Sequence, residues 1–125
     1  MEFNPNKAIY LQLADLICLG VLQGTYPAES RAPSVRELSS MAQVNINTAV
    51  RTYEWLQNKG IVEPRRGMGY YVTHEAHDII QALRRDELLS QHLPALFTEM
   101  SALGISMDDV AKEWKKFNEN KDTNA

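Results

Sequence analysis

The segment from Pro33 to Val72 reads PSVRELSSMAQVNINTAVRTYEWLQNKGIVEPRRGMGYYV and carries the strongest structural signals of the chain. Two short helical patterns are separated by a tight turn, and a glycine-rich segment with paired arginines follows them. This order predicts a winged helix-turn-helix, in which two helices, the turn between them and a β-hairpin wing belong to one small domain. Such a domain places the second helix of the motif in the major groove of DNA.

Capping residues predict where the two helices of the motif begin. Ser34 and Glu37 form a capping box, because each side chain can accept a hydrogen bond from the backbone N–H of the other. The box predicts a helix from about Val35 to Ala42, followed by a turn at residues 43–44. Asn45 is a good N-cap for the next helix.

The second helix of the motif is predicted to run from this cap to about Gly60. Its side chains predict one face toward the domain core and one face toward solvent. The predicted inward residues are Ala49, Val50, Tyr53, Trp55 and Leu56. The predicted outward residues of its N-terminal half are Asn47, Thr48, Arg51 and Thr52.

Two further elements complete the predicted DNA-binding head. The segments IVEPR and GYYVT alternate as two strands, and Gly67 and Gly69 allow a narrow hairpin tip between them. Before the motif, a helix is predicted from a cap at Asn4 or Asn6 to about Gln23.

The rest of the chain is predicted to be helical. Beyond residue 75, apolar residues recur every three or four positions, and Pro94 is expected to kink or restart this helix. A second capping box, Ser106 with Asp109, opens a last helix from about Met107 to Phe117.

The predicted fold is therefore mainly α, with a three-helix winged head and a helical tail. We expect a DNA-binding domain over residues 1–73, a dimerisation or effector region over residues 74–118 and a frayed end over residues 119–125. The only cysteine, Cys18, excludes a disulfide framework, and neither a signal peptide nor a membrane span is evident. These features predict a cytoplasmic protein.

The charge distribution favours a nucleic-acid partner for the head. The whole chain has a formal charge of -3, but the segment from Arg31 to Val72 has six basic and three acidic residues. The segment from Thr73 to the last residue has six basic and ten acidic residues. Positive charge is thus concentrated where phosphate contacts are expected.

Residue types in the motif are suited to contacts with bases and phosphates. Asparagine can pair with two atoms of adenine, arginine with two atoms of guanine, and threonine suits a phosphate or a thymine methyl group. An arginine at a wing tip is placed to enter a narrow minor groove. The candidate DNA-contacting residues are Ser34, Arg36, Asn45, Asn47, Thr48, Arg51, Arg65, Arg66 and Gly67.

The chain resembles the GntR family of bacterial transcription regulators, in particular its short YtrA-like branch. The similar segments are IYLQLAD, PSVRELS, VNINTAVRTYEWLQNKG and EPRRGMGYYV, which together cover most of the first 73 residues. The resemblance implies DNA contacts at Ser34, Arg36, Asn45, Asn47, Thr48, Arg51, Arg66 and Gly67. It also implies a homodimer on a two-fold operator. Many relatives have a basic residue at the positions of Ile46 and Val50, so their base preference does not transfer to this chain.

The helical tail has an apolar stripe that a head of this size cannot cover, and a second copy of the chain is the simplest partner. A repressor is expected because no activation surface is evident. The predicted dimer interface consists of Ile79, Ile80, Leu83, Leu89, Leu93, Leu96, Phe97, Met100, Val110, Trp114 and Phe117.

Other functions have weaker support in the sequence. His74 and His77 resemble half of a metal site, but no second cluster of ligands is evident, so no metal or cofactor is predicted. No catalytic motif is present, which argues against an enzyme. The alternative to DNA binding is a winged helix that contacts a protein, and a small-molecule effector of unknown identity is left open.

Overall fold

Six α-helices and one β-hairpin form the fold in the computed structural model, which describes residues 2–123. The helices are α1 (Ile9–Leu22), α2 (Val35–Ala42), α3 (Ile46–Asn58), α4 (Ala76–Glu87), α5 (Leu93–Leu103) and α6 (Met107–Thr123). The hairpin consists of β1 (Val62–Arg65) and β2 (Gly69–Val72), and a π-helical turn, Leu88–His92, precedes α5. This order confirms the predicted mainly α fold with a winged head and a helical tail.

The chain forms two compact units, which meet in sequence between Arg84 and Arg85. The first unit, the head, contains α1, α2, α3, the hairpin and most of α4. Ala76 and Ile80 of α4 are almost fully buried in the core of this unit. Residue 73, the predicted domain boundary, is therefore followed by a helix whose first half completes the core of the head.

The head core lies where α1, α2 and the hairpin pack around α3. Leu13 and Ile17 of α1, Leu38 of α2 and Leu56 of α3 are each at most 1% exposed. Fully burying a side chain of this size contributes about 1.5–3 kcal/mol, so this cluster holds α3 firmly.

The structure corrects the predicted faces of α3. Thr52, predicted to face outward, is completely buried, and Val50, predicted to face inward, is 38% exposed. Buried residues in α3 follow the spacing Ala49, Thr52, Tyr53, Leu56, which is one face of a helix of 3.6 residues per turn. Spacing, and not polarity, decides the position of Thr52. Its hydroxyl is satisfied because it lies 3.0 Å from the carbonyl oxygen of Tyr10.

The first and last helices also differ from their predicted bounds. α1 begins at Ile9 after the N-cap Ala8, because the Asn4 side chain accepts a hydrogen bond from the Asn6 N–H in a separate turn. α6 continues to Thr123, past the end predicted at Phe117, because no glycine or proline interrupts the sequence there. Part of the predicted frayed end, residues 124–125, lies outside the described residues.

The wing is an antiparallel hairpin in which Val62 pairs with Val72 and Arg65 pairs with Gly69. Both Gly67 and Gly69 have positive φ angles, 73° and 92°, which glycine adopts at little cost. The loop at residues 29–32 runs beside β2 and exchanges backbone hydrogen bonds with it, such as that from the Ala32 N–H to the Tyr70 carbonyl at 2.9 Å. The wing is therefore attached to the loop that follows α1.

In the second unit, Pro94 lies in the first turn of α5, directly after the π-helical turn. Proline has no N–H to donate, and the backbone at Glu87, His92 and Leu93 is helical, so the π-helical turn accommodates Pro94 without the predicted restart of the helix. Gly104, with a φ angle of 67°, ends α5, and the predicted capping box of Ser106 and Asp109 opens α6. Among the described residues, no helix is long and apolar enough to cross a membrane.

Candidate nucleic-acid interface

The N-terminal half of α3 presents polar side chains to solvent. Asn47 and Arg51 are exposed and lie on the side of the helix opposite its buried residues, whereas Thr48 is half-buried at the edge. Two apolar residues, Ile46 and Val50, flank them and are 44% and 38% exposed. This surface combines amide, guanidinium and methyl groups, which are the groups that read base edges in a major groove.

Asn45 has a structural role that limits its use in base reading. Its side-chain oxygen accepts a hydrogen bond from the Asn47 N–H at 2.8 Å and caps α3. Pairing with adenine through both atoms of its amide group would compete with this cap. The Asn47 side chain has no hydrogen-bond partner within the described part of the chain, so its whole amide group is free.

Arg51 is held by an aromatic ring and carries no counter-ion. Its guanidinium carbon lies 4.2 Å from the centre of the Tyr10 ring, in a cation–π contact between α3 and α1. It forms no salt bridge with any residue from 2 to 121. Its positive charge therefore remains available to an anionic or electron-rich partner.

At the start of α2, Ser34 and Glu37 form the predicted capping box. The Ser34 hydroxyl accepts from the Glu37 N–H at 3.0 Å, and the Glu37 carboxylate accepts from the Ser34 N–H at 3.3 Å. Hydrogen bonds from Ser34, its backbone N–H first, hold the pKa of Glu37 below its usual value, and the Arg31 guanidinium 3.5 Å away acts in the same direction. Arg36 is exposed in this first turn and has no salt-bridge partner among the described residues.

The two arginines of the wing differ in their surroundings. Arg65, a predicted DNA contact, donates to the carboxylates of Glu29 at 2.5 Å and Glu63 at 3.3 Å, and its guanidinium lies 4.1 Å from the centre of the Tyr71 ring. The hydrogen bond to Glu29 is the main reason why the pKa of Arg65 is raised. In the free protein these carboxylates compensate its charge and Arg65 joins the wing to the loop at residue 29, so its DNA contact stays a prediction from the sequence.

Arg66 stands at the exposed tip of the wing, next to Gly67. It has no ion pair or hydrogen bond within residues 2–121, in contrast to its neighbour. A side-chain carbon added at Gly67 would meet no atom within 4 Å, so glycine is favoured there by its φ angle of 73° and not by lack of space. The tip thus offers one free cation on a narrow, glycine-containing turn.

The predicted dimer-interface residues divide into three groups. Ile80 is 1% exposed in the core of the head, and Ile79 and Leu83 pack against that core. These three side chains therefore make their apolar contacts within one chain and not with a second copy. Met100 is buried within the second unit, and Leu93 and Val110 are half-buried. The remaining five are 44–66% exposed: Leu89, Leu96, Phe97, Trp114 and Phe117.

A groove of about 520 Å³ runs between α5 and α6 in the second unit. Leu96, Met100, Ile105 and Val110 provide its apolar lining, and charged residues of α6 such as Lys112 stand along it. In the described part of the chain, no group of three or more His, Cys, Asp or Glu residues could hold a metal ion.

The sequence and the fold are both similar to those of known regulators. The HTH-type transcriptional regulator YhcF of Bacillus subtilis is 35% identical over 118 residues, which cover 94% of this chain and 96% of that protein. A GntR-family transcriptional regulator of known structure from Bacteroides thetaiotaomicron is 38% identical, with a TM-score of 0.79, and the match covers 91% of this chain and 99% of that one. The chain belongs to the GntR family. It is a short member of the YtrA and YhcF type.

A further relative is the HTH-type transcriptional repressor YtrA of Bacillus subtilis, 28% identical over 93% of this chain and 89% of that protein. No family model matches the chain. As a GntR-family member, the protein is a DNA-binding transcriptional regulator and not an enzyme.

Two residues that contribute to the surfaces described above were not predicted to do so. Tyr10 contacts Arg51 and Glu29 pairs with Arg65, and each of these partners lies far away in the sequence.

Proposed function

We propose that this GntR-family regulator is a repressor that binds a two-fold operator as a homodimer. The observation that carries the DNA-reading part is the exposed surface of α3, where Asn47 and Arg51 have no side-chain hydrogen-bond or ion-pair partner among residues 2–121. Arg36 of α2 and Arg66 of the wing add two further cations that have no carboxylate partner in the part of the chain whose side chains are described. Ser34, Thr48 and Gly67 complete the proposed contacts as groups suited to the phosphate backbone.

Substitution of the arginines tests this assignment. The operator is first selected from a random DNA library, and its affinity is then measured by fluorescence anisotropy at several salt concentrations. Arg51→Ala should weaken operator binding by about 1–3 kcal/mol if the arginine reads guanine, and should relax the base preference at one position. If Arg51 contacts a phosphate, Arg51→Ala should instead lower the salt slope by about one and leave the base preference intact.

The matched control is Arg85→Ala. Arg85 is an exposed arginine of the second unit and lies outside the proposed contacts. The Arg85→Ala substitution should leave both the operator affinity and the salt slope nearly unchanged. If Arg36→Ala, Arg51→Ala and Arg66→Ala all bound the operator like the unsubstituted protein, the proposed DNA surface would be wrong, and a protein-contacting winged helix would be favoured.

The homodimer is supported by the exposed apolar residues of the second unit. Phe97, Trp114 and Phe117 are 44%, 66% and 63% exposed, which is unusual for large apolar side chains unless a partner covers them. A second copy of the chain would bury them together with the groove between α5 and α6. Two heads would then contact two half-sites, which a single head cannot do.

Sedimentation equilibrium at micromolar concentration tests the dimer. The unsubstituted chain should have twice the monomer mass, and Trp114→Glu should shift it toward the monomer because a carboxylate would be buried in the interface. Met68→Glu provides the control, since Met68 is 55% exposed on the wing and lies outside the proposed interface. A stable monomer for the unsubstituted chain would rule out the dimer.

Repression is supported by the similarity to YtrA of Bacillus subtilis, a transcriptional repressor, and a direct transcription assay tests it. In a transcription reaction with purified RNA polymerase, addition of the regulator should lower transcript from a promoter that overlaps the selected operator. A promoter with a scrambled operator should be unaffected. An increase in transcript would identify an activator instead.

A further inference from the structure

We propose that Tyr10 is a positioning residue for Arg51 in DNA recognition. This inference rests on the proposed function, because it concerns how Arg51 is presented to a base. The starting observation is the distance of 4.2 Å between the Arg51 guanidinium carbon and the centre of the Tyr10 ring. Tyr10 lies in the first turn of α1, so a residue outside the helix-turn-helix motif supports a side chain of its second helix.

A buried hydrogen bond joins the backbone of α1 at Tyr10 to α3. The hydroxyl of Thr52, the residue after Arg51, lies 3.0 Å from the carbonyl oxygen of Tyr10 and 3.0 Å from that of Thr48, and its one proton is shared between these two acceptors. Thr52 is completely buried, so water does not compete for this bond. The bond involves the backbone of Tyr10 and not its ring. Substitution of the ring therefore retains this bond between α1 and α3 and removes the aromatic surface over which Arg51 lies.

The position of Arg51 over the Tyr10 ring suits base reading. The ring attracts the cation through its aromatic face and without a hydrogen bond, so the N–H donors of the guanidinium group are not used in this contact. Those donors are the ones that pair with the O6 and N7 atoms of guanine. The Tyr10 ring thus restricts the orientation of Arg51 without consuming the groups that would contact DNA.

Arg65 provides a comparison within the same head. Its guanidinium lies 4.1 Å from the centre of the Tyr71 ring, nearly the same distance, but Glu29 and Glu63 occupy its donors. Arg51 has the aromatic contact and, among the described residues, no carboxylate partner. Stacking with paired donors suits an arginine that holds parts of the protein together. Stacking with free donors suits an arginine that is held ready for a ligand.

The expected effect follows from the loss of side-chain freedom on binding. Immobilising a long, flexible side chain at an interface lowers affinity by a factor of about 2–10, and a pre-ordered side chain avoids most of this loss. Tyr10→Leu should therefore weaken operator binding about two- to tenfold. Tyr10→Phe, which retains the ring, should bind the operator like the unsubstituted protein.

A double-mutant cycle with Arg51→Ala separates positioning from a general structural role. If Tyr10 acts through Arg51, Tyr10→Leu should have no further effect on operator affinity once Arg51 is alanine. Tyr10→Leu should also reduce the preference at the base pair that Arg51 reads, while affinity for unrelated DNA stays unchanged. Thermal unfolding shows whether each variant is folded, and Tyr10→Met takes the place of Tyr10→Leu in the cycle if the latter is not.

Different results would refute the role of Tyr10 and the proposed DNA contact of Arg51. If Arg51→Ala weakens binding but removal of the Tyr10 ring has no effect, or has the same effect with and without Arg51, Tyr10 does not position Arg51. If Arg51→Ala itself leaves operator binding and base preference intact, the assignment of Arg51 under the proposed function is wrong, and the role of Tyr10 is refuted with it.

Discussion

Substitution of Gly20 by alanine provides a quantitative test of how the loop after α1 is packed. Gly20 is a buried residue of α1, and the half-buried ring of Tyr26 covers it. A β-carbon at this position would lie 2.5 Å from both Cδ2 and Cε2 of that ring. Carbon atoms in favourable contact are about 3.5–4.0 Å apart, so the ring would have to move by about 1 Å or more.

Two opposing contributions set the size of the effect. Replacing glycine by alanine inside a helix stabilises the folded state by about 0.8–1 kcal/mol. Overpacking a filled site costs about 1–3 kcal/mol. In the unsubstituted background, Gly20→Ala should therefore lower the free energy of unfolding by up to about 2 kcal/mol. In a Tyr26→Ala background the ring is absent, and the same substitution should raise the free energy of unfolding by about 1 kcal/mol.

Urea unfolding of the four proteins, followed by circular dichroism, measures this change of sign. All four must be compared at one protein concentration, because self-association would add to the apparent stability. The hydrogen bond from the Tyr26 N–H to the Gly20 carbonyl joins backbone atoms and is retained in every variant. Equal shifts caused by Gly20→Ala in the two backgrounds would show that the Tyr26 ring does not restrict this position.

Three further predictions concern the interior of the head and its capping box. Cys18 is 4% exposed and burial raises the pKa of its thiol to about 11, so it should not react with a thiol reagent at pH 8 unless the protein is unfolded in urea. Tyr53→Phe should lower the free energy of unfolding by about 1–2 kcal/mol in urea titrations, because the carbonyl of Pro33 would lose the hydroxyl that donates to it. The pKa of Glu37 in the folded state is below its usual value of 4.5, so the stability contributed by its charge is present above that pH and is lost as the pH falls through the lowered value. Urea midpoints measured from pH 7 to pH 3 should therefore fall less steeply for Glu37→Gln, and identical profiles for the two proteins would contradict this.

The elements that the sequence predicts well depend on hydrogen bonds between near neighbours. The capping box of Ser34 and Glu37 joins residues three positions apart, and the bounds predicted for α2 agree with the structure. The same applies to Ser106 and Asp109 at the start of α6. Such signals are local, so they can be recognised without knowledge of the tertiary structure.

The features that the sequence does not predict depend on distant partners. Arg65 and Glu29 are 36 positions apart, and Thr52 and Tyr10 are 42 positions apart. Glu63, two positions before Arg65 on the same strand, is a local signal for one of its two partners, but Glu29 cannot be found from the local pattern, and Arg66 is free in the described structure. The position of Thr52 was predictable from helical spacing, and residue type was the misleading guide there.

We expect the pairing of charges, and not the amount of positive charge, to select the arginines that contact DNA. Residues 31–72 have a basic excess, but the folded head extends to Arg84, and over residues 1–84 the chain has eight basic and eight acidic residues. A formally neutral head attracts DNA weakly as a whole, so the distribution of unpaired cations must determine where DNA binds. Glu29 and Glu63 compensate Arg65, and Glu37 lies beside Arg31.

The arginines that lack a carboxylate partner among residues 2–121 lie at the start of α2, on α3, at the wing tip and in the second unit: Arg36, Arg51, Arg66 and Arg85. The first three belong to the elements that a winged helix-turn-helix presents to DNA, so under the proposed function we expect the acidic residues of the head to restrict binding to those elements.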